Sequence, residues 1–311
     1  MMKVLITCPP MLNLINEFKP IFESKGIDLF CPNVVQTLSE DELVSLVPGY
    51  DGWIIGDDPA SRKVFVAGKA GKLKAVIKWG VGVDNVDFLS AKELGISTAN
   101  TPNMFGAEVA DIAMGYLIAL ARQTFVIDRG VREGKWPKPS GISLSNKTVG
   151  LIGFGDIGKN VAKRLLVANM HVIAYDPCFE SLEGLEAVQS GQWPQRLIEA
   201  DFIVLTCALT PENHHLLNAK MLSQTKRGVR IVNVARGPLI DEVALVEALK
   251  SGQVHSVALD VFENEPLPLD SPLRQFERCV FGSHNSSNTT DAVRRASEQA
   301  IQLLFDFLGT L

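Results

Sequence analysis

Gly153-Phe154-Gly155-Asp156-Ile157-Gly158 follows a short apolar run, Val149-Gly150-Leu151-Ile152, and precedes Lys159 to Leu166, a stretch of helical character. Three glycines at this spacing leave a chain few options. The first permits a tight turn, the second lets the main chain approach a pyrophosphate, and the third lets helix and strand pack closely. The helix N-terminus then meets phosphate with unpaired N–H groups and the positive end of its dipole. The glycine spacing alone is a weak signal; the strand before it and the helix after it supply the context.

Around this loop the chain alternates short apolar runs with helix-sized intervals. From Thr148 onward, residues 149–152, 172–175, 202–205, 231–234, 256–259 and 279–281 are rich in β-branched residues and read as six strands of a doubly wound parallel sheet. An earlier α/β layer is expected from Lys3 to Thr7, Ile27 to Phe30, Gly52 to Gly56 and Lys74 to Lys78. Asn100-Thr101-Pro102-Asn103 reads as a turn. The stretch from Phe105 to Arg122 has Val109, Ile112, Ala113, Tyr116, Leu117 and Leu120 at helical spacing and is read as a helix crossing between domains. Its small residues would admit a second helix, from another subunit or from the chain's own core. The tail from Thr290 to Leu311 reads as a helix returning to the first layer. The expected division is 1–102 plus 290–311 for one domain and 103–289 for the nucleotide domain. With 311 residues and roughly 150 per domain as a prior, two domains also fit the length.

Net charge of -5 offers no general attraction to a polyanion, so nucleic acid is not an expected partner. No segment reaches the roughly 20 apolar residues of a membrane span, and the run opening the chain soon meets Pro9-Pro10, too short for a signal-peptide core. Cys8, Cys31, Cys178, Cys207 and Cys279 are odd in number and lack paired metal-ligand spacing. Reduced thiols and a cytoplasmic location are expected. His214-His215 carries no metal expectation, because adjacent histidines on a helix diverge and no ligand partners are spaced nearby.

The strand after the glycine loop ends in Tyr175-Asp176-Pro177, near the roughly 20-residue offset at which an acidic residue accepts hydrogen bonds from the adenosine ribose. A carboxylate there repels a 2′-phosphate, and no arginine immediately follows it. NAD is therefore expected over NADP.

Beyond three later strands stand Arg236, in Asn233-Val234-Ala235-Arg236-Gly237, Glu265, in the run from Asp260 to Pro266, and His284, in Gly282-Ser283-His284-Asn285. Reduction of a 2-keto acid needs a cation for the carboxylate, a proton donor for the developing alkoxide and a group that keeps the donor charged. Arginine grips a carboxylate with two parallel hydrogen bonds. Histidine, with a reference pKa of about 6.5, can give a proton in one direction and take it in the other. Singly, each residue has a bland reading: a solvated loop arginine, a glutamate capping a turn.

With these residues in series, the sequence resembles the D-isomer-specific 2-hydroxyacid dehydrogenases, particularly the branch related to D-3-phosphoglycerate dehydrogenase. Further matches are Gly80-Val81-Gly82-Val83-Asp84-Asn85-Val86-Asp87, Asn100-Thr101-Pro102, Gly134-Lys135-Trp136 and Leu209-Thr210-Pro211-Glu212. The resemblance implies two Rossmann-like domains, the substrate domain being smaller and flavodoxin-like. It implies Arg236, Glu265 and His284 as catalytic residues, and backbone N–H groups of Val81 and Gly82 on the substrate carboxylate. It further implies Gly153, Gly155, Asp156, Ile157, Gly158 and Asp176 around NAD, with Cys207, Val109, Val234, Ala235 and Asp260 lining the cofactor cleft. Asp260 and the Val234 backbone would orient the nicotinamide carboxamide, the domains would close over the bound pair, and the enzyme would be a homodimer.

The match departs in four places. Asn285-Ser286-Ser287 follows the histidine where small glycine-rich residues are usual, and is expected to add side-chain donors beside the nicotinamide. Gly56-Asp57-Asp58-Pro59 puts acid where phosphoglycerate-specific members tend to place a base, unless Arg62 or Lys63 reaches round. Lys78-Trp79 and Glu108 are unusual at the expected substrate mouth. These departures speak against 3-phosphoglycerate. An NAD(H)-sensing protein on the same fold, or an oxidoreductase acting on a different oxyanion, would share the nucleotide site.

Overall fold

The computed structural model describes residues 1–310, and they form two compact units, residues 1–104 with 288–310, and Phe105–Ser287. The first unit holds five parallel strands: β1 (Met2–Ile6), β2 (Ile27–Phe30), β3 (Gly52–Ile55), β4 (Ala75–Lys78) and β5 (Ser97–Asn100), in the order β2-β1-β3-β4-β5. β3 and β4 are buried along their whole length, as central parallel strands covered on both faces are. β5 has no counterpart in the sequence reading, and only its last residue, Asn100, falls in the stretch read as a turn. Its Ser-Thr-Ala-Asn sequence has no apolar pattern, and only pairing with β4 at the sheet edge makes it a strand.

The Thr290–Leu308 helix belongs to this first unit. The Thr289 side chain caps it by accepting the Ala292 N–H at 3.2 Å, and Gly309, at φ 67°, ends it. Ala292, Val293, Ala296, Ala300, Ile301, Leu304 and Phe305 recur at three- and four-residue intervals and are buried. A side chain at Gly52 on β3 would come within 2.9 Å of Leu304, so glycine there sets how closely helix and sheet approach.

In the second unit seven parallel strands run β12-β11-β10-β9-β6-β7-β8: β6 (Thr148–Ile152), β7 (His171–Tyr175), β8 (Gln189–Ser190), β9 (Phe202–Leu205), β10 (Val229–Asn233), β11 (Val254–Leu259) and β12 (Val280–Phe281). The chain builds outward from β6 in one direction and then from β9 in the other. That reversal is the switch point at whose carboxyl edge open α/β sheets bind ligands. The Gly106–Arg122 helix packs its Val109, Ala113, Leu117 and Leu120 face into this unit and leaves Ile112 and Ile118 exposed. Among the described residues no single helix is long and apolar enough to cross a membrane.

His255 on β11 illustrates what burial at the opposite edge of this sheet does. Burial, followed by the charges of Arg230 and Arg278, depresses its pKa to about 4. The fold therefore favours neutral imidazole, and the unfolded chain binds the extra proton between the ordinary value near 6.5 and about 4. Stability is expected to be full above that window and to fall as pH drops through it. Chemical denaturation at a series of pH values should show His255→Gln with a flatter acid limb than the wild type; parallel curves would refute the expectation.

Candidate active site

The nucleotide loop leaves the end of β6 at Gly153, whose φ of 96° only glycine adopts without strain. A side chain at Gly153 would also run into the backbone of Cys207, 2.6 Å from its nitrogen. At Gly158 it would strike the Gly153 carbonyl. Thr206 Oγ1 donates to that same carbonyl at 2.9 Å, tying the loop to the end of β9. Gly155 differs: a Cβ there meets nothing within 4 Å. It opens the Asp156–Val167 helix without a side-chain cap. The middle of the loop thus has open space in front of an uncapped helix N-terminus, which fits the pyrophosphate of a dinucleotide.

Asp176 lies just past β7. Its Oδ2 accepts the Phe154 N–H at 2.6 Å and its Oδ1 the Cys178 N–H at 2.8 Å, so the carboxylate is oriented by the glycine loop itself. Asp156 is turned elsewhere. Its carboxylate lies against Gly106, where any side chain would collide with both oxygens, and Asn160 Nδ2 donates to Oδ1 at 3.2 Å. Asp156 and Ile157 can therefore serve a cofactor through their backbone. Cys207 is mostly buried, and burial first, with Asp176 adding to it, pushes its thiol up to about 11. It is a neutral neighbour of the loop, and Val109 sits on the buried face of the Gly106–Arg122 helix.

Arg236, Glu265 and His284 follow β10, β11 and β12, three adjacent strands of the same sheet. Asn233 at the end of β10 shapes the first turn: its Oδ1 accepts the Ala235 N–H at 3.0 Å and its Nδ2 donates to the Arg236 carbonyl at 2.8 Å. Val234 and Ala235 are buried within that turn, and Arg236 is half-buried. Glu265 Oε2 lies 2.8 Å from His284 Nδ1. Because a carboxylate only accepts, Nδ1 carries the hydrogen, and Nε2 is the nitrogen turned to the other side of the ring. His284 holds a φ of 55°, a left-handed conformation uncommon for histidine, and its N–H donates to the Asp260 carbonyl at 2.7 Å.

Asp260 is buried, and its side chain organises the segment after the histidine. Oδ2 accepts the N–H of Ser286 at 2.8 Å and its hydroxyl at 2.5 Å, while Oδ1 takes the Asn285 N–H at 3.2 Å and the Tyr116 hydroxyl at 3.4 Å. The Ser286 hydroxyl, expected beside the nicotinamide, is spent on Asp260. Tyr116 carried no sequence signal for this role, which is set by helix packing; burial, then the Asp260 charge, raises its phenol well above the ordinary value.

In the first unit, Val81 and Gly82 stand in a loop beyond β4, anchored by Thr101 Oγ1, which accepts the Gly80 N–H at 2.8 Å. Two expectations for this loop's surroundings, on Trp79 and Asp58, are corrected. Trp79 is buried, its indole N–H donating to Ser297 Oγ at 3.0 Å, so it is a core residue and not part of a mouth. Asp58 is also buried, accepting from Thr7 Oγ1 and from the Leu38 N–H at 2.7 Å. Arg62 is engaged by Glu93 at 2.5 Å and Lys63 by Asp41 at 2.7 Å, so neither reaches round. Lys78, almost fully buried, holds the Gly56 carbonyl at 2.7 Å and Asp57 at 2.9 Å.

The histidine pair is a further correction. His214 and His215 follow a short 3-10 turn instead of lying on an α-helix, and their rings face each other at 4.0 Å. His215 does have carboxylate neighbours: ligand atoms of His215, Asp241 and Glu263 lie within 4.8 Å of one another. Long-range folding produces that grouping, which no local spacing reveals. His215 Nε2 already meets Glu263 at 2.8 Å, and Asp241 Oδ1 caps the Glu242–Lys250 helix.

Known proteins resemble this chain in sequence and in fold. Residues 114–286 match the family described as D-isomer specific 2-hydroxyacid dehydrogenase, NAD binding domain. The chain is 38% identical over 278 residues to a hydroxypyruvate reductase of Thermotoga maritima, spanning 88% of this chain and 89% of the relative. It is 34% identical over 300 residues to a D-3-phosphoglycerate dehydrogenase of Methanocaldococcus jannaschii, spanning 95% of this chain but only 55% of that longer protein. The structure superposes on apo D-lactate dehydrogenase of Escherichia coli with a TM-score of 0.84 at 30% identity, covering 99% of this chain and 97% of that one. With a glycine loop open for a pyrophosphate on one side of the switch point and a paired histidine and glutamate on the other, the chain belongs to the D-isomer specific 2-hydroxyacid dehydrogenases and carries their NAD-binding domain.

Proposed function

We propose that the protein moves a hydride between NAD and C2 of a small, unphosphorylated D-2-hydroxy acid or its 2-keto acid. The observation that carries this reading is the 2.8 Å contact between Glu265 Oε2 and His284 Nδ1, set on the same sheet edge as the nucleotide loop. When bound, the dinucleotide supplies or accepts the hydride. His284 gives a proton from Nε2 to the carbonyl oxygen in reduction and takes it back in oxidation, while Glu265 offsets the charge on the ring. Arg236 grips the carboxylate and polarises the carbonyl, an interaction that strengthens as negative charge develops on oxygen.

Asp176, held by the glycine loop, favours NAD over NADP because it would face a 2′-phosphate with like charge. Commitment of Arg62 and Lys63 to carboxylates and the pairing of Lys78 with Asp57 support an unphosphorylated substrate. Two of the similar proteins, the hydroxypyruvate reductase and the D-lactate dehydrogenase, are named for unphosphorylated acids, and the D-3-phosphoglycerate dehydrogenase for a phosphorylated one. The exposed Ile112, Ile118 and Phe125 support a homodimer through the helices that carry them, and five unpaired cysteines support a reducing, cytoplasmic setting.

The test is oxidation of NADH and NADPH with glyoxylate, hydroxypyruvate, pyruvate and phosphohydroxypyruvate. Turnover with NADH and at least one unphosphorylated acid is expected, exceeding that with NADPH or with phosphohydroxypyruvate. Tight NADH binding without turnover of any acid would overturn the reading in favour of a sensor.

A further inference from the structure

Glu265 is oriented by a neighbouring piece of backbone. Its Oε2 faces His284 and its Oε1 accepts the N–H of Phe262 at 2.9 Å. The direction of the carboxylate toward the histidine therefore depends on where the Phe262–Glu263 segment lies.

A second set of contacts fixes that segment. The Glu263 N–H donates to Glu242 Oε1 at 2.8 Å, and the Glu242 N–H returns a bond to Glu263 Oε1 at 3.2 Å. This reciprocal pair joins the loop after β11 to the first turn of the Glu242–Lys250 helix. Glu263 Oε1 also lies 2.8 Å from His215 Nε2. The His215 backbone N–H donates to the Pro238 carbonyl at 2.8 Å, inside the turn that follows Arg236. Gly237 completes the contact, since any side chain there would overlap the Phe262 carbonyl group. The loops bearing Arg236 and Glu265 are thus braced against each other through Glu263. Burial, then the charges of Glu263 and Glu265, raises the Glu242 carboxyl against the pull of the Glu263 N–H.

We propose that Glu263, braced by Glu242 and His215, is a positioning residue that holds Glu265 toward His284 and sets the Arg236 turn beside them. It touches neither substrate nor cofactor in this assignment. The inference rests on the proposed reaction for its kinetic consequence, but not for its structural one.

Proton–nitrogen NMR of the histidine rings in the NADH-bound protein separates the two. The His284 signals are assigned by their loss in His284→Asn. In Glu263→Ala the His284 Nδ1–H signal is expected to shift or vanish, kcat/KM for the best keto acid to fall about 100-fold, and NADH affinity to hold. Glu263→Gln, which keeps an oxygen for the Glu242 N–H, should recover most of the loss. If Glu263→Ala does not fold, the same signal is read in Glu242→Ala and His215→Ala, each expected to move it in the same direction. An unchanged His284 signal in the variants that fold would overturn the proposal, whether or not activity falls. A shifted signal in a protein that turns over no keto acid would overturn the reaction reading and leave the positioning role standing.

Discussion

Replacing His284 with asparagine is expected to lower kcat/KM for keto-acid reduction by about 10²–10⁴-fold, the usual contribution of a positioned general acid. Asparagine is the informative replacement because it tolerates the positive φ of 55° at this position better than most residues. It can still donate a hydrogen bond but cannot deliver the proton, so the loss isolates proton transfer from backbone disruption. NADH affinity, read by fluorescence titration, should change little, because the glycine loop and Asp176 belong to the other half of the sheet edge. Steady-state kinetics with activity within about tenfold of wild type would remove His284 from the role of general acid.

Arg236→Lys is expected to cost about 10²–10³-fold in kcat/KM, the scale of losing one oriented donor to the developing oxyanion. Lysine keeps the positive charge but loses the planar fork that binds a carboxylate with two parallel bonds. Asn233 holds the backbone of this turn through Ala235 and Arg236, so the variant should fold and the deficit should lie in chemistry and substrate binding. Both kcat and the keto-acid KM are expected to worsen, with the NADH dissociation constant preserved. A defect confined to NADH binding would place Arg236 on the cofactor instead.

Much of the sheet architecture was legible locally. β6, β7 and β9 to β12 announce themselves as mainly apolar, β-branched runs, because strands inside a covered parallel sheet are mostly buried, although β10 and β11 also bury Arg230 and Ser256. β5 and β8 were not legible. Ser97–Asn100 and Gln189–Ser190 are polar edge segments, and a neighbour's hydrogen bonds alone make them strands. The departures Lys78-Trp79 and Asp57-Asp58 stood out in the sequence, yet their meaning depended on partners as remote as Ser297 and Thr7.

The order of residues along the chain by itself determined the kind of chemistry available: a glycine-bounded nucleotide turn, an acid at the following strand end, and an arginine, a glutamate and a histidine after successive strands. These follow from short-range rules of turn geometry and side-chain chemistry. Tertiary structure alone decided which groups meet. It turned Asp156 toward Gly106, gave Asp260 to Ser286 and Tyr116, and braced Glu263 with Glu242 and His215. Hydrogen bonds act over about 3 Å, so contacts between residues tens of positions apart exist only once parallel strands have brought their ends side by side.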